Sequence, residues 1–287
     1  WVYHHYGSYT DSTAYKLCPL YPEDIVFGAG PPTIASANRM PCAPLSNEDE
    51  VVVSCTIEDN STITEALVYY SLDGSTTYAS VVMTQGEGSQ YSGAIPVTGA
   101  SSVSYYISAT DDGEGQSEPK TSTLPYSFEN EQFGFYLTDQ LTINMVQENP
   151  WASDRSLYEN CSVTLSGIVT SNTDEYAYAL QSESAQWSGI LFDTSLVDIA
   201  RGQEATITGT VVEHYGATAL SESQVTAGDV VGEPEFLNVS CEDLSIATGE
   251  DNEIESYEGV LVKLMNLSLI HISEPTRPRL ISYAVFC

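Results

Sequence analysis

The stretch CSVTLSGIVTSN, residues 161–172, has an echo in EATITGTVVEHY, residues 204–215. Each alternates apolar and polar residues, passes through a glycine and resumes with a β-branched pair. Period-two alternation marks a strand with one buried face. Gly167 and Gly209 fall at matching points of the two stretches. A glycine inside a strand marks a bulge or a sharp bend, the device by which a sheet curls until it closes. EYAYALQSE (175–183) and WSGILFDT (187–194) lie between them and read as a hairpin; GATALSESQVTAG (216–228) and YEGVLVKLMN (257–266) follow. Five or more bent strands predict a small β-barrel over residues 158–266.

Working back from the barrel, residues 31–128 carry a second run of short strands with no helical pattern between them. VVVSCTIE puts Val51, Val53, Cys55 and Ile57 on one face. TEALVYYSLDG ends at Asp73-Gly74, a strong turn dipeptide. SSVSYYISATDDGEG turns Val103, Tyr105, Ile107 and Ala109 inward and Ser104, Tyr106 and Ser108 outward. Strands at this spacing predict a β-sandwich. Residues 1–30 read as the end of a preceding domain and a connector, and residues 129–157 as a bridge that Pro150 punctuates. The expected class is all-β: a sandwich followed by a barrel.

Two resemblances sharpen this. EDNSTITEALVYYSLDGSTTYASVVMT, YSGAIP and VSYYISATDDGEGQSE (within 58–118) resemble the immunoglobulin-like and fibronectin type III-like modules of secreted bacterial proteins. That resemblance implies a spacer or weak binder without catalytic residues. From about Ala152 to Asn266 the chain resembles the OB-fold modules of secreted bacterial nucleases, most specifically in the glycine-punctuated run from Gly202 to Gly216. Such modules keep company with an extracellular nuclease or phosphoesterase domain. The resemblance implies an accessory role beside such a catalytic domain, in a secreted or cell-surface bacterial protein. Alternative readings are a module that binds an extracellular polymer, and a hydrolase.

Composition limits the partners. The chain of 287 residues has 8 Lys and Arg against 40 Asp and Glu, a formal net charge of −32. From Trp151 to Met265 twenty acidic residues face Arg155, Arg201 and Lys263. Such a field repels nucleic acid and anionic membranes, so single-stranded nucleic acid is expected to bind weakly, if cations bridge it. No apolar run approaches the ~20 residues that span a bilayer.

The last residues, LSLIHISEPTRPRLISYAVFC (267–287), differ from everything before them. They resemble the translation of a sequencing adapter, with Leu267–Arg277 and Ile281–Cys287 as constant parts around a variable Pro278–Leu280. They are expected to be non-native. The native gene is then expected to continue past Asn266, which makes the chain a metagenomic fragment and leaves His271 out of the chemistry.

The candidate sites are few. GxSxG, HExxH, a Walker loop and a dinucleotide fingerprint are absent from the sequence. No CxxC pair occurs among Cys18, Cys42, Cys55, Cys161, Cys241 and Cys287, so a zinc site is not expected. Cys42 and Cys55 either form a disulfide or are buried as small apolar residues. His4 and His5 are neighbours on an extended segment and point to opposite faces. Asp111, Asp112 and Glu114 offer oxygen ligands for calcium without the twelve-residue loop pattern; Glu250, Asp251 and Glu253 do the same more weakly. No cofactor is otherwise expected. OB-folds take polymers across their second and third strands and the adjoining loops. Here that surface draws on Tyr176, Tyr178, Trp187 and Phe192, with His214 and Tyr215 in a neighbouring loop. At least half of these are expected to fill the barrel instead.

Overall fold

The computed structural model describes residues 30–113, 118–151, 155–173, 177–193, 199–214, 216–240 and 255–265. His4, His5, Glu114, Tyr176, Tyr215, Glu250, Asp251, Glu253 and the adapter-like tail 267–287 lie outside them. The chain is all-β, with two facing sheets followed by a closed five-stranded barrel.

The first sheet contains β1 (Thr33–Met40), β2 (Glu50–Glu58), β5 (Thr84–Gln85) and β6 (Gln90–Pro96), in the order β1-β2-β6-β5. The second contains β3 (Ile63–Leu72), β4 (Ala79–Val82), β7 (Ser102–Asp111) and β8 (Thr121–Leu124), in the order β4-β3-β7-β8. All pairings are antiparallel. The alternation read from sequence is realised: Val51, Val53, Cys55 and Ile57 of β2 and Val103, Tyr105, Ile107 and Ala109 of β7 share one buried core. Asp73 and Gly74 both have positive φ, 50° and 69°, as a tight turn requires. The Asp73 carboxylate also accepts from the Ser101 hydroxyl and the amides of Ser101 and Ser102. Those bonds hold its carboxyl below the usual range and pin the turn to the start of β7.

The stretch read as a bridge belongs to both halves. β9 (Phe133–Tyr136) pairs with the start of β7, so the second sheet extends past residue 128. The short helix α1 (Ile143–Gln147) begins at Thr142, whose hydroxyl accepts from the Met145 amide, and it ends before Pro150. It buries Ile143 and Val146 in the barrel core.

The barrel consists of β10 (Ser162–Thr173), β11 (Ala177–Gln181), β12 (Gly189–Phe192), β13 (Gln203–His214) and β14 (Ala217–Val230). Its strand order is β10-β11-β12-β14-β13, closing on β10. One pair, β12 with β14, is parallel. The two echoing stretches pair directly, with Val163 opposite Gly209 and Gly167 opposite Ala205. At Gly167 a Cβ would lie 2.6 Å from the Gln181 carbonyl oxygen, so only glycine allows β11 this close. Gly209 sits where the β13–β14 register slips between Thr208 and Thr210, the bend that closure needs. Beyond the barrel, β15 (Leu237–Ser240) pairs in parallel with β16 (Val262–Met265).

Candidate functional site: the module junction and the covered barrel face

The most densely bonded feature lies between the sheets and the barrel. Cys42, just after β1, is bonded to Cys161 at the start of β10, with Cα atoms 5.6 Å apart and a separation of 119 positions in sequence. The Cys42–Cys55 pairing considered from sequence is therefore wrong. Cys55 lies instead in the sheet core with Val53 and Ile57. Cys55 is a free thiol whose burial lifts its pKa to about 11.

Beside the disulfide, Arg39 of β1 reaches across to the barrel half. Its Nε donates to the Cys42 carbonyl at 2.7 Å, Nη1 to the Gly134 carbonyl at 3.2 Å and Nη2 to the Leu157 carbonyl at 2.8 Å. The guanidinium carbon lies 5.3 Å from the centre of the Phe135 ring and 5.1 Å from that of Tyr158. A planar fork of donors between two aromatic faces is the chemistry of arginine and not of lysine. Tyr158 is completely buried, and its hydroxyl oxygen accepts from the Tyr136 amide at 3.0 Å. Burial pushes that phenol up to about 12. Trp151 packs against Gly134, where any Cβ would strike the indole ring. A cavity of about 210 Å³ remains, lined in part by Arg39, Gln132, Asn149, Arg155 and Glu159.

The expected polymer face is arranged otherwise. Alternate residues of β11 and β12 point in opposite directions. Tyr178 pairs with Phe192 across the strands, with ring centroids 5.4 Å apart. Phe192 is 1% exposed in the barrel core, and the half-buried Tyr178 packs against that core. The outward positions are instead Ala179, Gln181, Gly189 and Leu191. Ala179 and Leu191, with Ala217, form a small buried cluster separate from the core, and all four residues of β12 are buried. Both faces of that strand are covered.

The cover is the segment Glu255–Leu261, which includes the 3-10 turn Glu255–Tyr257. The Trp187 amide donates to the Ser256 carbonyl at 2.6 Å. The Leu261 amide donates to Gln181 Oε1 at 2.7 Å, and Gln181 Nε2 donates to the Glu183 and Glu235 carbonyls. Gly259 lies directly on Gly189 and Ile190, with no room for a Cβ on either glycine. Glu258 Oε2 accepts from the Thr218 amide at 2.9 Å. On the other side of Thr218, Glu213 Oε1 accepts from its hydroxyl at 2.9 Å and from the Ser156 amide at 2.8 Å. Two carboxyl groups thus flank one threonine. Burial, reinforced by the charges of Glu255 and Glu213, pushes Glu258 up to about 8. Burial raises Glu213 as well. Trp187 occupies the β11–β12 turn at a φ of 61° and is half-buried, while His214 ends β13 and is exposed. The sequence reading missed Gln181, Thr218, Glu213 and Glu258. Their one visible signal was the alternation of β11, which assigns Gln181 to the outer face.

Asp111 and Asp112 of the calcium candidates both accept backbone amides. Asp111 is completely buried, and its Oδ1 accepts from the amides of Gly113 and Lys120 at 3.0 and 2.7 Å. Asp112 Oδ1 accepts from the Thr62 amide at 3.3 Å. Among the described residues no group of three or more His, Cys, Asp or Glu side chains could hold a metal ion.

Two other surfaces are self-satisfied. On the outer face of the second sheet, Tyr106 stacks on Tyr69 at 4.9 Å and on Phe128 at 4.2 Å, with Tyr78 edge-on at 5.6 Å. Both faces of the Tyr106 ring are thereby covered. On the outer face of the barrel, Thr164 bonds Thr208 at 2.8 Å and Ser166 bonds Thr206 at 2.9 Å, an uncharged hydroxyl ladder. No helix among the described residues is long and apolar enough to cross a membrane. Comparison with known protein families and with curated proteins finds no match.

Proposed function

We propose that the chain is a non-catalytic accessory region of a secreted bacterial multidomain protein. Its immunoglobulin-like sandwich and OB-type barrel act as one stiff arm that spaces and orients a neighbouring catalytic domain. The observation that carries this reading is the junction: a disulfide, a three-carbonyl arginine clamp and the buried Tyr158 join the two halves. Independent modules on a flexible linker have no use for such a joint, whereas a spacer depends on it. The OB-type assignment is supported by closure of five strands in the order β10-β11-β12-β14-β13. Secretion is supported by the disulfide, which persists in oxidising compartments. The acidic field argues against a phosphate chain as direct ligand, so the company of an extracellular nuclease or phosphoesterase is proposed as a neighbour and not as an activity of these residues.

The test is activity against scattering. The full chain is expected to leave DNA and bis-p-nitrophenyl phosphate intact with magnesium or calcium present. Its small-angle scattering is expected to fit one conformation. Hydrolysis abolished by Glu213→Gln or His214→Ala would sink the accessory reading, as would scattering that demands a broad ensemble of module orientations.

A further inference from the structure

We propose that the segment Glu255–Leu261 is a releasable strap that closes the barrel's β11–β12 face and lets go as the solution turns alkaline. The proposal rests on the OB-type reading of the barrel, which makes that face its polymer surface.

The strap's attachments include four hydrogen bonds donated by backbone amides: Trp187 amide to Ser256 carbonyl, Leu261 amide to Gln181, Thr218 amide to Glu258 and, where the strap runs into β16, Leu237 amide to Leu261 carbonyl. Beneath it lies an uncharged strip of small residues, with Ala179, Gly189, Leu191 and Ala217 nearly removed from water. The strap crosses the strip backbone-first, glycine on glycine. It occupies the surface where an OB barrel would lay an extended ligand.

The release follows from charge geometry. Glu258 on the strap and Glu213 on β13 approach Thr218 from two sides. Glu255 on the strap adds to the negative field at Glu258, and Glu159 adds to that at Glu213. The opposing cation is Arg155, which pairs with Glu159 at 3.2 Å and is itself largely exposed. Thr218 on β14 brings no charge of its own, and Tyr257 is the strap's other titratable group. With Glu258 neutral, at most one anion rests on Thr218. With Glu258 ionised, two anions meet there in a half-buried site, and like charges held close cannot both be accommodated without loss. The strap is the element free to move, because Glu213 is fixed within the β13–β14 ladder.

Amide exchange of the full, oxidised chain tests this, with the amides of Trp187, Thr218 and Leu261 as reporters and Val211 as a barrel reference. After correction for intrinsic exchange, the three reporters are expected to lose at least tenfold protection relative to Val211 between pH 6 and pH 9.5. Glu258→Gln keeps an acceptor for Thr218 without the charge and is expected to hold protection at both values. Equal behaviour of wild type and Glu258→Gln would overturn the proposal, as would protection unchanged with pH in the wild type. Addition of laminarin, a soluble neutral glucan, at pH 9.5 reads the other premise. If the strap opens and laminarin does not bind, the polymer assignment of the face fails while the strap's release stands.

Discussion

Arg39 shows how much one side chain is asked to hold. It satisfies carbonyls from Cys42, Gly134 and Leu157, which come from three separate segments. Arg39→Met keeps the aliphatic stem and leaves those acceptors unmet, at about 1–3 kcal/mol for each one that stays buried. We expect a loss of about 3 kcal/mol by urea titration, with little recovery in Arg39→Lys, since an ammonium group cannot reach three diverging carbonyls. Full recovery by lysine would mean that charge alone matters there. Glu258 makes a second prediction, whose sign runs against that of most carboxylates. Its folded pKa of about 8 lies above the ordinary glutamate value of 4.5. Across that window the folded chain keeps a proton the unfolded chain has released, so stability falls as pH rises from about 4.5 to 8 and then levels. Glu258→Gln should match wild type near pH 4 and exceed it by about 2 kcal/mol at pH 8, a figure lowered from the full shift because the strap can open locally. Thermal melts of both proteins across pH 4–9 check this; parallel curves would contradict it.

At the scale of elements, strand parity decided what could be read in advance. The inward residues of β2 and β7 were legible because both strands bury one face more fully than the other. The barrel's alternation and its two glycines were legible for the same reason. Among the aromatic residues of the expected polymer face, parity sends Tyr178 and Phe192 inward, in line with the expectation that at least half would fill the barrel, and leaves Ala179, Gln181 and Leu191 outside. Nothing local in YEGVLVKLMN says that its first half lies across β11 and β12. That contact is made by backbone groups and by glycine packed on glycine, which have no pattern in one-dimensional sequence. The first half of the bridge joins the second sheet through β9, which is four residues long and pairs with β7 across more than twenty residues of chain, so no local pattern announces the pairing. Gly259→Ala tests the strap as an element. Gly259 has a φ of +66°, and a Cβ would lie 2.7 Å from the Ile190 amide nitrogen. The variant should expose the Trp187, Thr218 and Leu261 amides to exchange at pH 6 while the barrel reference stays protected. Retained protection would mean that the strap shifts as a body without losing its bonds.

For the whole molecule, action as a stiff spacer depends on two modules behaving as one. Neither the Cys42–Cys161 bond nor the arginine clamp was visible in sequence, because each joins residues about 120 apart whose local patterns belong to different modules. Closing so long a loop restricts the unfolded chain; for about 100 residues the entropic estimate is about 4–5 kcal/mol, with measured disulfides usually delivering less. Reduction, or Cys42→Ser with Cys161→Ser, should therefore cost about 2–4 kcal/mol in urea titrations, without loss of secondary structure by far-ultraviolet circular dichroism. The joint itself is tested most directly by electron–electron double resonance between spin labels at Val82 on the sheets and Thr226 on the barrel, introduced through a non-canonical residue that spares the native cysteines. A single narrow distance distribution is expected in the oxidised chain, broadened when the Cys42→Ser, Cys161→Ser and Arg39→Met changes are combined. A distribution already broad in the unaltered protein would contradict it.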